Sequence, residues 1–488
     1  MIEKVSCPLF KKCGGCQLLN FTYQKTLQEK LTYVNKCLKE QKINFQIDKI
    51  IGSEKNIQYR NKMIIGFKKV NGKVISGFYE ENSHQIIDLD DCLMNSPLQN
   101  QIARGLKEII ISMRLQPYDE DKKIGFIRYA IIKEAVATNE LLVVIVTAAD
   151  NFVARSEFVK RVRALSNSIK TIIQNVNARK TSIVLGEKER ILYGKGYIND
   201  YLFGIRFPIS SKSFYQVNPL QTIKLYQTVK DFANISKNDV VLDAYSGVGT
   251  IGMILASDAK EVISVENNKQ AVMIGINNAK ENKIHNVHFI CDDATQFIQN
   301  MANEHVKIDC LIMDPPRTGS TPLFLTSAMH LKPQKIVYVS CGPDTLARDL
   351  TFLLKDYKIK KAILVDMFCW TKHVETVVLL SHKINNSKVN VNLNFDNEKG
   401  KKLMEKVVEN VDSRKEPEGA SYPEIKEYIL NKYNVKVSSL NIAQIKTKYG
   451  IIERECYNKP KNENSRQPKC TKEKEEMIVD ALKHFKMI

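Results

Sequence analysis

Apolar positions change their spacing along the chain, and each change predicts a different kind of structure. Tyr23-Gln-Lys-Thr-Leu-Gln-Glu-Lys-Leu-Thr-Tyr-Val-Asn-Lys-Cys-Leu38 repeats apolar residues at helical intervals. Between residues 45 and 205, short apolar runs take over at 62–67, 77–79, 124–132 and 141–147, with turn pairs such as Asn71-Gly72 between them. These runs predict a mainly β domain with interspersed helices. From about residue 206 the rhythm becomes strand–helix alternation, with apolar runs near 239–244, 261–265, 308–313 and 335–339. That alternation predicts an α/β fold: a doubly wound, Rossmann-like parallel sheet with helices on both faces. Residues 385–397 are polar and Asn-rich, as expected of a linker. Beyond them, Ser421 precedes a run with Pro423 in its first turn and apolar residues at Ile425, Tyr428 and Ile429, and 438–448 has the pattern of a second helix. The expected organisation is 1–205, 206–384, the linker 385–397, and a small basic helix-turn-helix-like module over 398–488.

Composition narrows the function. Hydrophobic residues make up 43% of the 488 residues, enough for several cores. No apolar run approaches the roughly 20 residues that span a bilayer. The start, Met1-Ile-Glu-Lys-Val-Ser-Cys7, lacks the basic-then-apolar pattern of a secretory signal, so a cytoplasmic protein without membrane association is expected. Lys and Arg number 73 against 54 Asp and Glu, a formal net charge of +19. Such a surplus points to a polyanionic partner, nucleic acid above all. Eleven cysteines in a cytoplasmic chain argue against a disulfide framework and for thiols that bind metal or react.

Cys7, Cys13 and Cys16 form a Cys-x5-Cys-Gly-Gly-Cys cluster in which Gly14 and Gly15 let the backbone turn beneath one metal centre. Cys92, in a turn-like segment of the same half, is the expected fourth ligand. Four thiolates suit an iron–sulfur cluster or a structural zinc, and the spacing leaves both open.

Val240-Val-Leu-Asp243-Ala-Tyr245-Ser-Gly247-Val-Gly249-Thr250 has the pattern of a strand entering a glycine-bearing turn that opens a helix, where backbone can approach a ligand closely. About 20 residues on, Val262-Ile-Ser-Val-Glu266 ends in an acid suited to a ribose diol. Gly252 stands where a dinucleotide-binding pattern has its third glycine, so NAD stays open on glycine count. Asp314-Pro315-Pro316 favours S-adenosylmethionine instead. Asp292 and Asp293 follow the next strand-like run, within reach of an adenine.

Cys341 follows the 335–339 run and leaves it into Gly342-Pro343, an exposed exit for a thiol. Uracil resists methylation because its C5 is not nucleophilic. A thiolate adding to C6 makes C5 nucleophilic, and a base must then remove the C5 proton. Cys341 fits the first role and Glu375 the second. His373 is the expected orienting group, and Asp314 would orient the base or bind the donor. Trp370, the only tryptophan, is expected in the core rather than stacked on a flipped base.

Taken in order, the motifs are Cys7-x5-Cys13-Gly-Gly-Cys16, Phe214-Tyr-Gln216-Val-Asn218-Pro, Leu242-Asp-Ala-Tyr-Ser-Gly-Val-Gly249, Asp314-Pro-Pro-Arg-x-Gly319, Val337-Tyr-Val-Ser-Cys341 and Asp366-Met-Phe-x-x-Thr-Lys-His373-Val-Glu375. Over about residues 1–383 the chain resembles the RNA uracil-C5 methyltransferases of the RlmD/TrmA type. The resemblance implies a class I methyltransferase fold with S-adenosylmethionine bound through Gln216, Tyr245, Glu266 and Asp314, and with Asp293 and Thr250 as further contacts. It implies a four-iron, four-sulfur (4Fe–4S) cluster on Cys7, Cys13, Cys16 and Cys92, a Cys341 nucleophile and a Glu375 general base. The implied partner is RNA, with 23S rRNA ahead of the tRNA T-loop because tRNA-modifying members often lack the cysteine cluster. No protein partner is expected, and the chain is expected to act as a monomer. A non-catalytic iron–sulfur RNA-binding protein would not need Cys341 and Glu375 together. The sequence departs from the family pattern at Gly342, usually Asn and expected to loosen its loop, and at Cys369, usually Pro. No small RNA-binding barrel is expected ahead of the cysteine cluster, so residues 398–488 are expected to supply that affinity.

Overall fold

The computed structural model describes residues 2–80, 83, 85–179, 183–383, 422–433, 435, 437–449 and 471–485; the expected linker at 385–397 lies outside them. The chain divides into two compact units, residues 1–389 and 390–488.

In the first unit, the strand–helix alternation builds an eight-stranded sheet. Its order is Ile50–Ile51, Tyr357–Val365, Glu375–His382, Lys335–Ser340, Cys310–Met313, Val240–Ala244, Glu261–Glu266, Val287–Cys291. Neighbours from Lys335–Ser340 to Val287–Cys291 run parallel. Glu375–His382 instead enters antiparallel, between Lys335–Ser340 and Tyr357–Val365. The sheet is therefore mixed, not wholly parallel as the alternation predicts. The cause is chain length: a parallel crossover needs a dozen or more residues, and only the short stretch 366–374 joins the last two strands. Both faces are covered, one by a core that includes Leu31, Val34, Phe324 and Leu350, the other by one that includes Leu225, Val229, Ile254 and Leu255.

The helix Tyr23–Glu40 and the strand Ile50–Ile51 belong with this sheet, not with the β domain expected to contain them. Ile50 and Ile51 pair in parallel with Leu364 and Val365. The helix Tyr23–Glu40, capped by the Thr22 side chain, buries its apolar stripe in the same core as Leu346 and Leu350 of the helix Pro343–Leu353. An amphipathic helix is stabilised where its stripe finds an apolar partner, and here that partner lies some three hundred residues downstream.

The first unit also holds a two-stranded antiparallel ribbon, Tyr197–Leu202 with Ile205–Ser210, and a seven-stranded sheet in the order Ile86–Asp88, Lys73–Tyr79, Lys62–Val70, Ile127–Ala135, Glu140–Thr147, Ile169–Val176, Lys188–Tyr193. The helices Pro97–Ser112 and Arg155–Ala164 cover one face through Ile102, Leu106, Ile110, Phe158 and Val162. The run expected at 124–132 starts pairing in that sheet only at Ile127. Ahead of it, Asp119 bridges Ile124 and Gly125 has φ +113°, which make a turn of the preceding residues.

In the second unit the helices Tyr422–Tyr433 and Ser439–Lys448 share a core with a third, Lys472–His484, through Ile425, Ile429, Ile442, Ile445, Ile478 and Leu482. Two short helices cannot bury their own stripes, and the third supplies the missing apolar face. Among the described residues, no helix is long and apolar enough to cross a membrane.

Candidate active site

The parallel strands of the eight-stranded sheet end along one edge, where open α/β sheets bind ligands. Tyr245 follows Val240–Ala244, Glu266 ends its strand, Asp292 and Asp293 follow Val287–Cys291, Asp314 follows Cys310–Met313, and Cys341 follows Lys335–Ser340. Glu375 opens the antiparallel strand at that same edge. The ladder pairs Ser340 with Thr376, and one further step sets Cys341 across from Glu375.

The turn after Tyr245 has the form of a ligand cradle. Tyr245, Gly247 and Gly249 all have left-handed φ, at 61°, 57° and 74°. A Cβ on Gly249 would come within 2.3 Å of the Phe289 ring, whereas one on Gly247 would meet nothing within 4 Å. Glu266 accepts hydrogen bonds from Gly247 N (3.0 Å) and Asn268 N (2.8 Å), which fixes its carboxylate beside that open space. The Ser246 hydroxyl is buried there with no partner among the described residues, and a buried polar atom of this kind calls for a bound group. The Tyr245 hydroxyl bonds Ser320 Oγ at 3.0 Å. The donor set, an acid for a diol and open backbone for a polar tail, fits S-adenosylmethionine. Thr250 is the first residue of the helix Thr250–Ala256. Asp293 caps the helix Ala294–Asn303, accepting from Thr295 N and Gln296 N, so one oxygen of its carboxylate is already engaged. Gly252 has a structural cause: a Cβ there would come within 2.5 Å of Ser264 Oγ and 2.9 Å of the buried Asp243 carboxylate, so the glycine answers to close helix–strand packing and not to a particular ligand.

Burial dominates the electrostatics. Glu375 is 6% exposed, and burial, then the Asp314 charge, pushes its carboxyl up to about 8 while Arg317 counters. Burial also pushes Asp314 up to about 7. The half-buried Cys341 thiol is raised by burial, then by Glu375 and Asp314, again against Arg317. Arg317 is therefore the cation of this group. Its role was not read from the sequence, although it follows Asp314-Pro-Pro directly. Its carbonyl accepts from Thr345 Oγ1 at 3.1 Å. Gly342 lies against both: a Cβ there would meet Thr345 Oγ1 at 2.7 Å and the Arg317 carbonyl at 3.1 Å. The residue after Cys341 thus sits in a tight, pinned loop, not the loosened one expected. The His373 imidazole is pushed down by partial burial, then by Arg317, and the backbone N–H of His373 donates to Thr371 Oγ1 at 3.2 Å. Trp370 is fully buried and donates Nε1–H to the Asn56 carbonyl at 2.9 Å, the core placement expected. Gln216 lies beside the buried Tyr226, which in turn lies within range of Asp314 and Glu375. Its neighbour Phe214 is 76% exposed.

A second site lies beside the seven-stranded sheet. Cys7, Cys13, Cys16 and Cys92 all line one cavity of about 410 Å³, with Phe10, Arg60 and Phe78 among the other walls. Burial, then the neighbouring thiols Cys92 and Cys13, pushes Cys16 up to about 12. Mutual repulsion of that kind is reversed by a bound cation. Among the described residues, however, no three His, Cys, Asp or Glu side chains converge as a single metal ion requires. The structure thus brings the four predicted thiols around one space without drawing them to one point.

The tRNA (uracil-5-)-methyltransferase family model matches residues 22–383. An uncharacterized RNA methyltransferase of Halalkalibacterium halodurans is 38% identical over 381 residues, covering 77% of this chain and 83% of its own. Another, from Clostridium tetani, is 38% identical over 378 residues, covering 77% and 82%. Among solved structures, the Pyrococcus abyssi tRNA (uracil-54, C5)-methyltransferase in complex with S-adenosyl-L-homocysteine superposes with a TM-score of 0.63 at 28% identity, covering 77% of this chain and 87% of that one.

Proposed function

The chain belongs to the tRNA (uracil-5-)-methyltransferase family of S-adenosylmethionine-dependent RNA methyltransferases, and from that premise we propose that it methylates C5 of a uridine in 23S rRNA through a covalent bond from Cys341 to C6. The observation that carries this reading is the strand register, which ends at the Ser340–Thr376 pair with Cys341 and Glu375 the next residue on each side, at the sheet edge that also carries the glycine turn. When bound, S-adenosylmethionine would supply an electrophilic methyl carbon on a sulfonium, whose sulfur would keep the bonding pair and leave as a neutral thioether. Cys341, as thiolate, forms the S–C6 bond and moves the C5=C6 electron pair to C5, where the methyl group is accepted. Glu375 then takes the C5 proton. The freed pair re-forms C5=C6 and breaks the S–C6 bond, returning the thiolate. Arg317 holds negative charge at this centre. Mapping 5-methyluridine in 23S rRNA and tRNA from cells with and without the gene tests the substrate. The Pyrococcus abyssi neighbour acts on tRNA, so loss of the mark from the tRNA T-loop alone would establish that second reading and exclude rRNA.

The sign of the pH dependence follows from the two raised groups. Nucleophile and base both work deprotonated, and both titrate above their ordinary values, so turnover should rise with pH through about 8, where Glu375 ionises, and go on rising as the Cys341 thiol ionises above its ordinary range. Arg317→Gln removes the charge that opposes those shifts. Its rising limb should move to higher pH, with turnover at pH 7 about tenfold lower. A pH–rate profile of both proteins checks this, and an unchanged profile would contradict it.

The four thiols are proposed to hold a 4Fe–4S cluster. What supports this reading is that all four cysteines line one cavity, since thiolates ring a cluster from outside. Protein purified without oxygen is expected to carry iron and acid-labile sulfide in about equal amounts, both lost on Cys16→Ser. Zinc in their place would contradict the cluster.

A further inference from the structure

The stretch that leads into Glu375 is held from outside along its first five residues. The carbonyls of Asp366, Met367, Phe368, Cys369 and Trp370 accept, in turn, from Gln221 Nε2 (3.2 Å), Asn218 Nδ2 (3.1 Å), Lys30 Nζ (3.0 Å), the Tyr59 hydroxyl (3.2 Å), and the N–H groups of Gln17 and Leu18 (3.0 and 2.9 Å). Lys30 also pairs with the Asp366 carboxylate, whose other oxygen accepts from the Tyr23 hydroxyl at 2.6 Å. Both charged side chains are out of water, at 1% and 0% exposure.

A general demand for stability does not explain this arrangement. Desolvating two charges offsets most of their attraction, so a buried ion pair is a weak stabiliser. A connection between strands ordinarily lies in solvent, where water serves its carbonyls. This one is largely buried from Asp366 to Thr371, and Trp370 is held at φ 63°, a conformation that bulky residues avoid and that gathers at functional sites. The Phe368 carbonyl, which Lys30 grips, also accepts from Thr371 N (3.2 Å) and Thr371 Oγ1 (2.8 Å). Thr371 Oγ1 then accepts from His373 N at 3.2 Å. A continuous hydrogen-bonded path therefore runs from Lys30 to a point two residues short of Glu375.

We propose that Lys30, acting through Asp366 and the Phe368 carbonyl, is a positioning residue for Glu375: it sets the carboxylate for removal of the C5 proton and takes no part in thiol attack. The proposal rests on the covalent route above. It separates two steps of that route, because bond formation by Cys341 and methyl transfer both precede proton removal, and only the last step breaks the S–C6 bond.

The test compares wild type, Lys30→Met and Tyr23→Phe on two RNAs. With ordinary uridine RNA and S-adenosylmethionine, Lys30→Met should turn over on the order of 10²-fold more slowly and should accumulate a covalent protein–RNA band that wild type does not. With 5-fluorouridine RNA, where no C5 proton can leave, its rate of adduct formation should stay within about threefold of wild type, because near-attack geometry at Cys341 is untouched. Tyr23→Phe, which removes one hydroxyl and keeps the ion pair, should show the same split at smaller amplitude, and it decides the matter where Lys30→Met does not fold. Equal loss on both RNAs, or loss on neither, overturns the proposal. A wild type that forms no adduct with 5-fluorouridine RNA overturns the covalent route itself, and is recognised before any variant is compared.

Discussion

Replacing Cys341 with alanine is expected to abolish methyl transfer to RNA while leaving the methyl donor bound. The loss should be on the order of 10³-fold or more, about 4 kcal/mol of transition-state stabilisation, because C5 stays unreactive unless a thiolate adds to C6. The fold should survive. Cys341 is only half-buried and stands outside the two cores of its sheet, so losing its sulfur leaves no core cavity. The donor cradle at Tyr245–Gly249 and Glu266 is built from other strand ends, so affinity for S-adenosylmethionine measured by calorimetry should stay within about threefold. Methyl incorporation into RNA that stays within tenfold of wild type would contradict the role given to this sulfur.

Glu375→Gln should fail differently. The amide keeps the shape of the carboxyl but cannot accept the C5 proton, so turnover should fall by about 10²–10⁴-fold. Because thiol attack and methyl transfer come first, the variant should accumulate protein covalently joined to ordinary uridine RNA, visible as a denaturation-resistant band. Stability gives an independent check with a defined sign. The folded-state value for Glu375, about 8, lies above the ordinary Glu value of about 4.3. Its contribution to stability is therefore fully present below about pH 4 and is lost as pH rises through about 8. Glutamine does not ionise and escapes that loss, so the variant's Tm relative to wild type should improve between pH 5 and pH 8. A variant that neither traps RNA nor gains relative stability would contradict both the buried carboxyl and its role.

Much of the site could be read from the chain because it depends on where strands stop. The alternation after residue 206 marks strands, and the residues that end them, Glu266, Asp314 and Cys341, fall together at one sheet edge by topology alone. The facing of Cys341 and Glu375 could not be read, because it comes from an antiparallel pairing between 335–340 and 376–381 that the parallel-sheet pattern does not contain. Lys30 shows the same limit. In sequence it is one more charged residue on an amphipathic helix; in the fold it is buried against Asp366, 336 positions away. Arg317 adjoins a motif that was read, yet its influence on Cys341 and Glu375 is a matter of space, not spacing. The cysteines were legible as a set, but only the packing of the seven-stranded sheet brings Cys92 to the cavity of Cys7, Cys13 and Cys16.

RNA carrying 5-fluorouridine at the modified position interrogates the chemistry most directly. Incubated with the protein and S-adenosylmethionine, digested, and examined by mass spectrometry, it should yield one cross-linked peptide. That peptide should carry a methylated fluorouridine on the sulfur of Cys341. No cross-link at all, or a cross-link on a different cysteine, would contradict the account.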